Sequence, residues 1–164
     1  MMTDRVKQYV PLAMAAFMAI IFLDSLRYKF TDHPNTQEIF GRLNDWAASL
    51  GADGLFAHTG LFSQYVIGTA ELVASVLLII GFLPRFHHLQ AIGAAMGIAI
   101  MAGAVSFHLF TPLTIDPNND GAGLFIAACT NLVFGLLMVG LFRREEFVDF
   151  LSGLSNLFKP KPST

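Results

Sequence analysis

The sequence is poor in charge and nearly devoid of cysteine. Only 13% of its 164 residues are Asp, Glu, Lys or Arg, and the formal net charge is −2. That balance lacks the basic footprint of a nucleic-acid binder, so no nucleic-acid partner is expected. The single cysteine, Cys129, excludes an internal disulfide framework and a paired CxxC redox centre. Set in an apolar run, it reads as a small buried hydrophobe. A metal site is not expected either. His87 and His88 stand beside Arg85 without a carboxylate or thiol to complete a ligand set, and His33 and His58 read as solvated loop residues. Asp116-x-Asn118-x-Asp120-Gly121 copies the first half of a calcium loop, but Ala127 stands where the bidentate glutamate belongs. Turn and cap chemistry accounts for that segment. No internal repeat or low-complexity segment is evident.

What the sequence does have is apolar length. It is 54% hydrophobic, and the apolar residues are bunched in Val10 to Leu23, Tyr65 to Phe82, Leu89 to Leu109 and Ala122 to Phe142. Each run is near the ~20 residues that cross a bilayer core of about 30 Å. These runs predict spans over about 9–26, 65–83, 89–110 and 122–142. The residues after the first run, LDSLRYKF, offer no small-x-small cleavage pattern, so that run is read as retained. The expected fold is all-α, an integral membrane four-helix bundle in a single domain over 1–164, with two interfacial amphipathic helices.

The first of those helices is expected over 36–50. Asn35-x-x-Glu38 reads as a capping box, Gly51 as the residue after the C-cap, and Ile39, Leu43, Trp46 and Leu50 fall at helical spacing between them. Trp46 suits a membrane boundary. The second is expected over 144–158, where Phe147, Phe150, Leu151, Leu154, Leu157 and Phe158 form one apolar stripe. The PKPST end reads as disordered.

Basic residues set the expected orientation. Arg5, Lys7, Arg85, Arg143, Arg144, Lys159 and Lys161 fall on one side of the spans, and Arg27, Lys29 and Arg42 on the other. The positive-inside rule puts both termini and the Pro84 to His88 turn in the cytoplasm of a bacterial inner membrane, with the long first loop outside.

One carboxylate interrupts the second run. An ionised group in hydrocarbon costs several kcal/mol unless paired or hydrated, so Glu71 is a functional-site hypothesis with a partner to be found. With the expected topology it lies roughly 9 Å below the outer boundary. Asp24, Arg27 and Lys29 close the first span near that level, His108 ends the third, and Asn131 sits deeper in the fourth. Gln64, Gly68, Glu71 and Ser75 form one polar or small stripe, and glycine and alanine stripes lead to His108 and Asn131. Small residues permit close helix approach, so these faces are expected to meet. Glu71, His108, Arg27, Asp24 and Asn131 are the ligand or proton-relay candidates; Gln64, Ser75 and Lys29 are candidates for a structural polar network. Arg27 is the first expected partner of Glu71 and Lys29 the second. Two readings remain open: a network that only fixes helix register, and a cavity in which Glu71 and His108 bind a quinone head group or relay protons.

The segment GTAELVASVLLIIGFLPR, Gly68 to Arg85, resembles the second span and following turn of the DoxX-like family, small four-helix bacterial membrane proteins. The sharp motif is Gly68-x-x-Glu71-Leu72 with Gly81 and Arg85, and the resemblance extends over most of residues 10–142. YKFT at Tyr28 to Thr31 is similar to inner-membrane proteins of the reactive-chlorine response. The resemblance implies a membrane partner of redox or oxidative-stress proteins, such as the small subunit of a thiosulfate:quinone oxidoreductase. It carries Glu71 over as the family acid and gives His108 no role. Without a cysteine pair, the disulfide-relay activity of related folds is not expected. The expected function is therefore an accessory or anchor subunit of a redox or oxidative-stress system, with quinone as the candidate cofactor and no independent catalytic activity. A small transporter and a purely structural partner-binding protein are the alternatives, and a homo-oligomer is considered. The spans show no inverted repeat or broken helix to favour a transporter.

Overall fold

A computed structural model describes residues 4–119 and 121–158, and every described element is helical. The elements are α1 (Asp4–Lys29), α2 (Pro34–Ser49), α3 (Gln64–Ile80), α4 (His87–Phe110), α5 (Gly123–Leu137) and α6 (Arg144–Leu157). A single 3₁₀ turn, Pro84–Phe86, leads into α4, and a π-helical turn, Met138–Phe142, joins α5 to α6. Asp120 of the calcium-like run and the PKPST end lie outside the described residues.

Among the described residues, three stretches are long and apolar enough to cross a membrane: Arg5–Lys29, Pro84–Phe110 and Gly123–Phe142. The protein is a membrane protein. The apolar α3 has 17 residues, about 25 Å at 1.5 Å per residue, and packs along both α1 and α4. Ile20, Ile126, Val133 and Leu136 remain exposed on the outer faces of the long apolar helices. Hydrocarbon is their natural solvent, and burial is reserved for the seams between helices.

Those seams depend on missing side chains. A Cβ on Gly93 would stand 2.9 Å from the Ala74 carbonyl oxygen, which is how α4 lies against α3. A Cβ on Gly97 would meet the Met18 methyl at 2.7 Å, and one on Gly135 would meet Ile98 Cγ1 at 2.8 Å. Met18, Phe22, Leu78 and Met138 fill the centre and are fully buried. The resulting contacts are dispersion gained by close packing, the main attraction available between helices in lipid.

Both ends of the molecule depart from the sequence expectations. α2 begins at Pro34 instead of after a capping box. His33 is the N-cap, its Nδ1 accepting from the Asn35 backbone N–H at 3.2 Å, and proline suits the first helical position. Glu38 is thereby free to pair with Arg42 at 2.6 Å. Gly51 ends the helix as expected, at φ +83°. The apolar face of α2 packs onto protein: Leu43 and Ala47 are buried with Phe56 and Leu113, and Trp46 sits edge-on to Phe107 at 6.4 Å. Trp46 is thus a packing residue of the cap that α2 forms over this end.

At the opposite end the π turn rotates the chain by an extra residue, and Arg143 points inward. Its Nε donates to Gln90 Oε1 at 2.7 Å, and both residues are buried. Arg143 was expected to act only as a topological charge. The signal for its burial is the π turn, which no residue pattern announces. α6 follows with none of its residues buried and with Leu151, Leu154 and Leu157 exposed.

Candidate functional site

Below the α2 cap lies a cavity of about 340 Å³. α1, α3, α4 and α5 supply its walls, and Ile39, Phe40 and Leu43 of α2 with Phe56 and Leu113 close its top. Four polar side chains reach it: Ser25, Lys29, Glu71 and His108. The remaining lining is apolar and rich in aromatic rings, including Phe22, Phe40, Phe56 and Phe107. A few convergent polar groups in an apolar concavity of this size are the usual form of a small-molecule site.

Glu71 is 3% exposed and is paired with Lys29, whose Nζ lies 2.9 Å from Oε2 and 3.1 Å from Oε1. Ser25 Oγ stands 2.6 Å from Oε2 and 2.8 Å from the Phe22 carbonyl oxygen. Met18, Phe22, Ser25 and Lys29 recur at helical spacing, so one face of α1 carries the core inward and then delivers this hydroxyl and ammonium to Glu71. Gly68 explains the glycine of the motif: a Cβ there would lie 3.4 Å from Lys29 Cδ and 3.3 Å from the Phe30 ring. Gly68 and Glu71, three residues apart on one face, receive the stem and the head of the same lysine.

The position of Lys29 is fixed from the loop side as well. Gln64 Nε2 donates to the Lys29 carbonyl at 2.7 Å and to Asp32 Oδ1 at 2.5 Å, and Gln37 Nε2 donates to Gln64 Oε1 at 2.8 Å. The Tyr65 hydroxyl donates to the same Asp32 oxygen at 2.6 Å. The Tyr65 hydroxyl first, with help from Gln64 and His58 and against partial desolvation, holds the Asp32 carboxyl below its ordinary range. Asp32 turns the chain at φ +53°, a conformation that aspartate tolerates better than most residues.

His108, 7% exposed, reaches the cavity from the last turn of α4. Its Nδ1 is 2.6 Å from the Thr114 carbonyl oxygen, and its ring lies edge-on to Phe125. Thr114 has φ +61°. A β-branched residue in that region carries local strain on the order of 1–3 kcal/mol, and such strain persists only where surrounding structure holds it.

The structure therefore brings Glu71, Lys29 and His108 to one cavity, ties Gln64 to the Lys29 backbone, and leaves Arg27, Asp24, Asn131 and Ser75 outside the lining. Arg27 does not reach Glu71. It pairs with Asp24 at 3.1 Å in an exposed position and stacks over Tyr28. Arg27 is two residues from Lys29, about 200° around the helix, so it faces away. Asn131 is fully buried with neither amide atom hydrogen-bonded, and it does not line the cavity. Ser75 donates to the Glu71 carbonyl oxygen at 2.8 Å, a contact internal to α3. Ser25, Asp32 and Thr114 escaped the sequence reading. Only Ser25 had a legible signal, its place on the Met18 to Lys29 stripe.

Comparison with known proteins adds one finding. A family model described as DoxX matches residues 11–111, well over half of the chain, and the protein belongs to the DoxX family. The matched segment contains Ser25, Lys29, Glu71 and His108 and stops short of Thr114. No curated protein and no solved structure matches the chain.

Proposed function

We propose that this DoxX-family protein is an accessory membrane subunit of a redox or oxidative-stress system, and that the cavity under α2 holds a quinone-type ring. The observation that carries the reading is that Glu71 with its partner Lys29, and His108, face one cavity whose other walls are apolar and aromatic. A quinone needs such a site: a slot that accepts a planar ring, with few polar groups near its oxygens. We further infer that α3 is a fourth span and that the α2 end faces outward. Both termini would then be cytoplasmic in a bacterial inner membrane. Arg85, Arg143 and Arg144 at the other end support that orientation.

A titration of purified protein in mild detergent with a short-chain benzoquinone tests the reading. A ligand that binds only the folded state stabilises it by about 2.7 kcal/mol at a free concentration one hundred times its Kd. Unfolding temperature should rise with quinone concentration, and less so in Phe56→Trp, which fills the slot. An unchanged unfolding temperature would remove the quinone. A second reading has a specific observation behind it, because both oxygens of Glu71 are already engaged by Lys29 and Ser25. In that case the cluster is a clamp between α1 and α3, and the protein serves a partner through its surface.

A further inference from the structure

The tautomer of His108 restricts what the cavity can hold. A carbonyl oxygen offers only lone pairs. The 2.6 Å contact between Nδ1 and the Thr114 oxygen therefore requires the ring proton on Nδ1. In the neutral imidazole the remaining nitrogen, Nε2, is then a bare acceptor on a ring that lines the cavity. Thr114 is held at φ +61° while its carbonyl makes this bond, so the arrangement is sustained by the outer loop against the preference of the residue. Lys29 contributes the complementary group. Its ammonium carries three hydrogens, and Glu71 engages it through Oε2 at 2.9 Å and Oε1 at 3.1 Å, which leaves a donor for a further acceptor.

We infer that the cavity recognises the reduced, hydroxyl-bearing form of its ring, a quinol, in preference to the quinone. This rests on the proposed ring-binding role and sharpens it. The two carbonyl oxygens of a quinone can only accept, so one placed against Nε2 sets lone pair against lone pair among largely apolar walls, and neither gains a hydrogen bond from the other. A quinol hydroxyl donates its hydrogen to Nε2, and a hydroxyl oxygen can accept from Lys29. The cavity thus presents one acceptor and one donor, and the quinol answers both while the quinone answers only the second. The aromatic lining contributes equally to the two forms, because the ring is planar in each.

Preference for one redox form carries a redox consequence by linkage. If the quinol binds tenfold more tightly, the midpoint potential of the bound two-electron couple rises by about 30 mV over the free couple. The bound quinone is then a better oxidant than the free one. That suits a subunit receiving electrons from a partner on the outer side.

The experiment compares a decyl-substituted para-benzoquinone with its hydroquinone, the latter kept reduced under anaerobic conditions. Each is titrated into the full-length protein in lipid nanodiscs and followed by unfolding temperature. Nitrogen-15 NMR of histidine-labelled protein reports which His108 nitrogen carries the proton. The expected results are a Kd for the hydroquinone about fivefold to tenfold below that of the quinone, and nitrogen shifts of the Nδ1–H tautomer. In His108→Phe, which keeps a ring and removes the acceptor, the two Kd values should converge. Equal binding in the wild type, tighter quinone binding, or an Nε2–H ring would overturn the inference while leaving a ring-binding cavity in place. Failure of both forms to bind would overturn the cavity reading itself. The NMR readout needs no variant, so a misfolded His108→Phe does not shield the inference.

Discussion

Replacing Glu71 by glutamine removes one charge and keeps the shape, and its cost follows from how each partner meets water. The Lys29 side chain is 15% exposed and that of Glu71 3% exposed. Stranding one member of a fully buried pair costs about 3–5 kcal/mol. Lys29 can recover part of its hydration through its exposed fraction, so Glu71→Gln should cost about 2–3 kcal/mol. Lys29→Met strands the carboxylate, which has almost no access to water and keeps only the Ser25 hydroxyl, and should cost the full 3–5 kcal/mol. The double variant strands neither. It should cost about 3–4 kcal/mol against about 5–8 kcal/mol for the two single losses together, which leaves a coupling energy of about 3 kcal/mol. Reversible unfolding in mixed micelles of mild and denaturing detergent measures all four corners of the cycle. Arg27→Gln is the control, and its exposed pair with Asp24 should be worth less than about 0.5 kcal/mol. Additive single losses, or a larger effect at Arg27 than at Lys29, would refute the reasoning.

Four further perturbations bear on the fold around the site and beyond it. Gly81→Ala would place a methyl 2.4 Å from Gln90 Cβ and 2.7 Å from its backbone nitrogen, so unfolding should show a loss of about 2–3 kcal/mol; Gly153→Ala in α6 meets nothing within 4 Å and should gain roughly 0.5–1 kcal/mol. Asn131→Leu removes two buried amide atoms that lack partners and should leave stability unchanged or raise it by about 1 kcal/mol, whereas a loss in the same assay would reveal a hydrogen bond to Asn131. Asp32 has a folded carboxyl pKa held down mainly by the Tyr65 hydroxyl, so its contribution is fully present above the unfolded value of about 4 and is lost as pH falls below it. Unfolding temperature followed from about pH 6 to about pH 3 should drop, and Asp32→Asn should make that drop shallower.

The apolar runs and the acid among them were readable because bilayer thickness and the cost of a buried charge act on composition alone. That Glu71 and His108 face a common interior was readable too, since the stripes Gln64 to Ser75 and Gly93 to His108 each mark one helix face. What depth could not supply was azimuth. Arg27 and Lys29 lie at nearly the same level, and only the continuation of Met18, Phe22 and Ser25 at helical spacing distinguishes Lys29 as the inward cation. The left-handed turn at Thr114 and the π turn before Arg143 were beyond reach. Each is a backbone departure imposed by tertiary packing on residues whose own preferences point elsewhere.

The central claim is that a ring binds between α1 and α4 beneath α2. Photolabelling with an azido-substituted quinone in membranes, followed by peptide mass spectrometry, tests it most directly. The account predicts label on the cavity walls, on residues 21–29 of α1 and 99–108 of α4, suppressed by excess unlabelled decyl hydroquinone. Label spread over the exposed apolar residues Ile20, Val76, Ile126 and Leu136, or confined to α6, with no suppression by competitor, would contradict it.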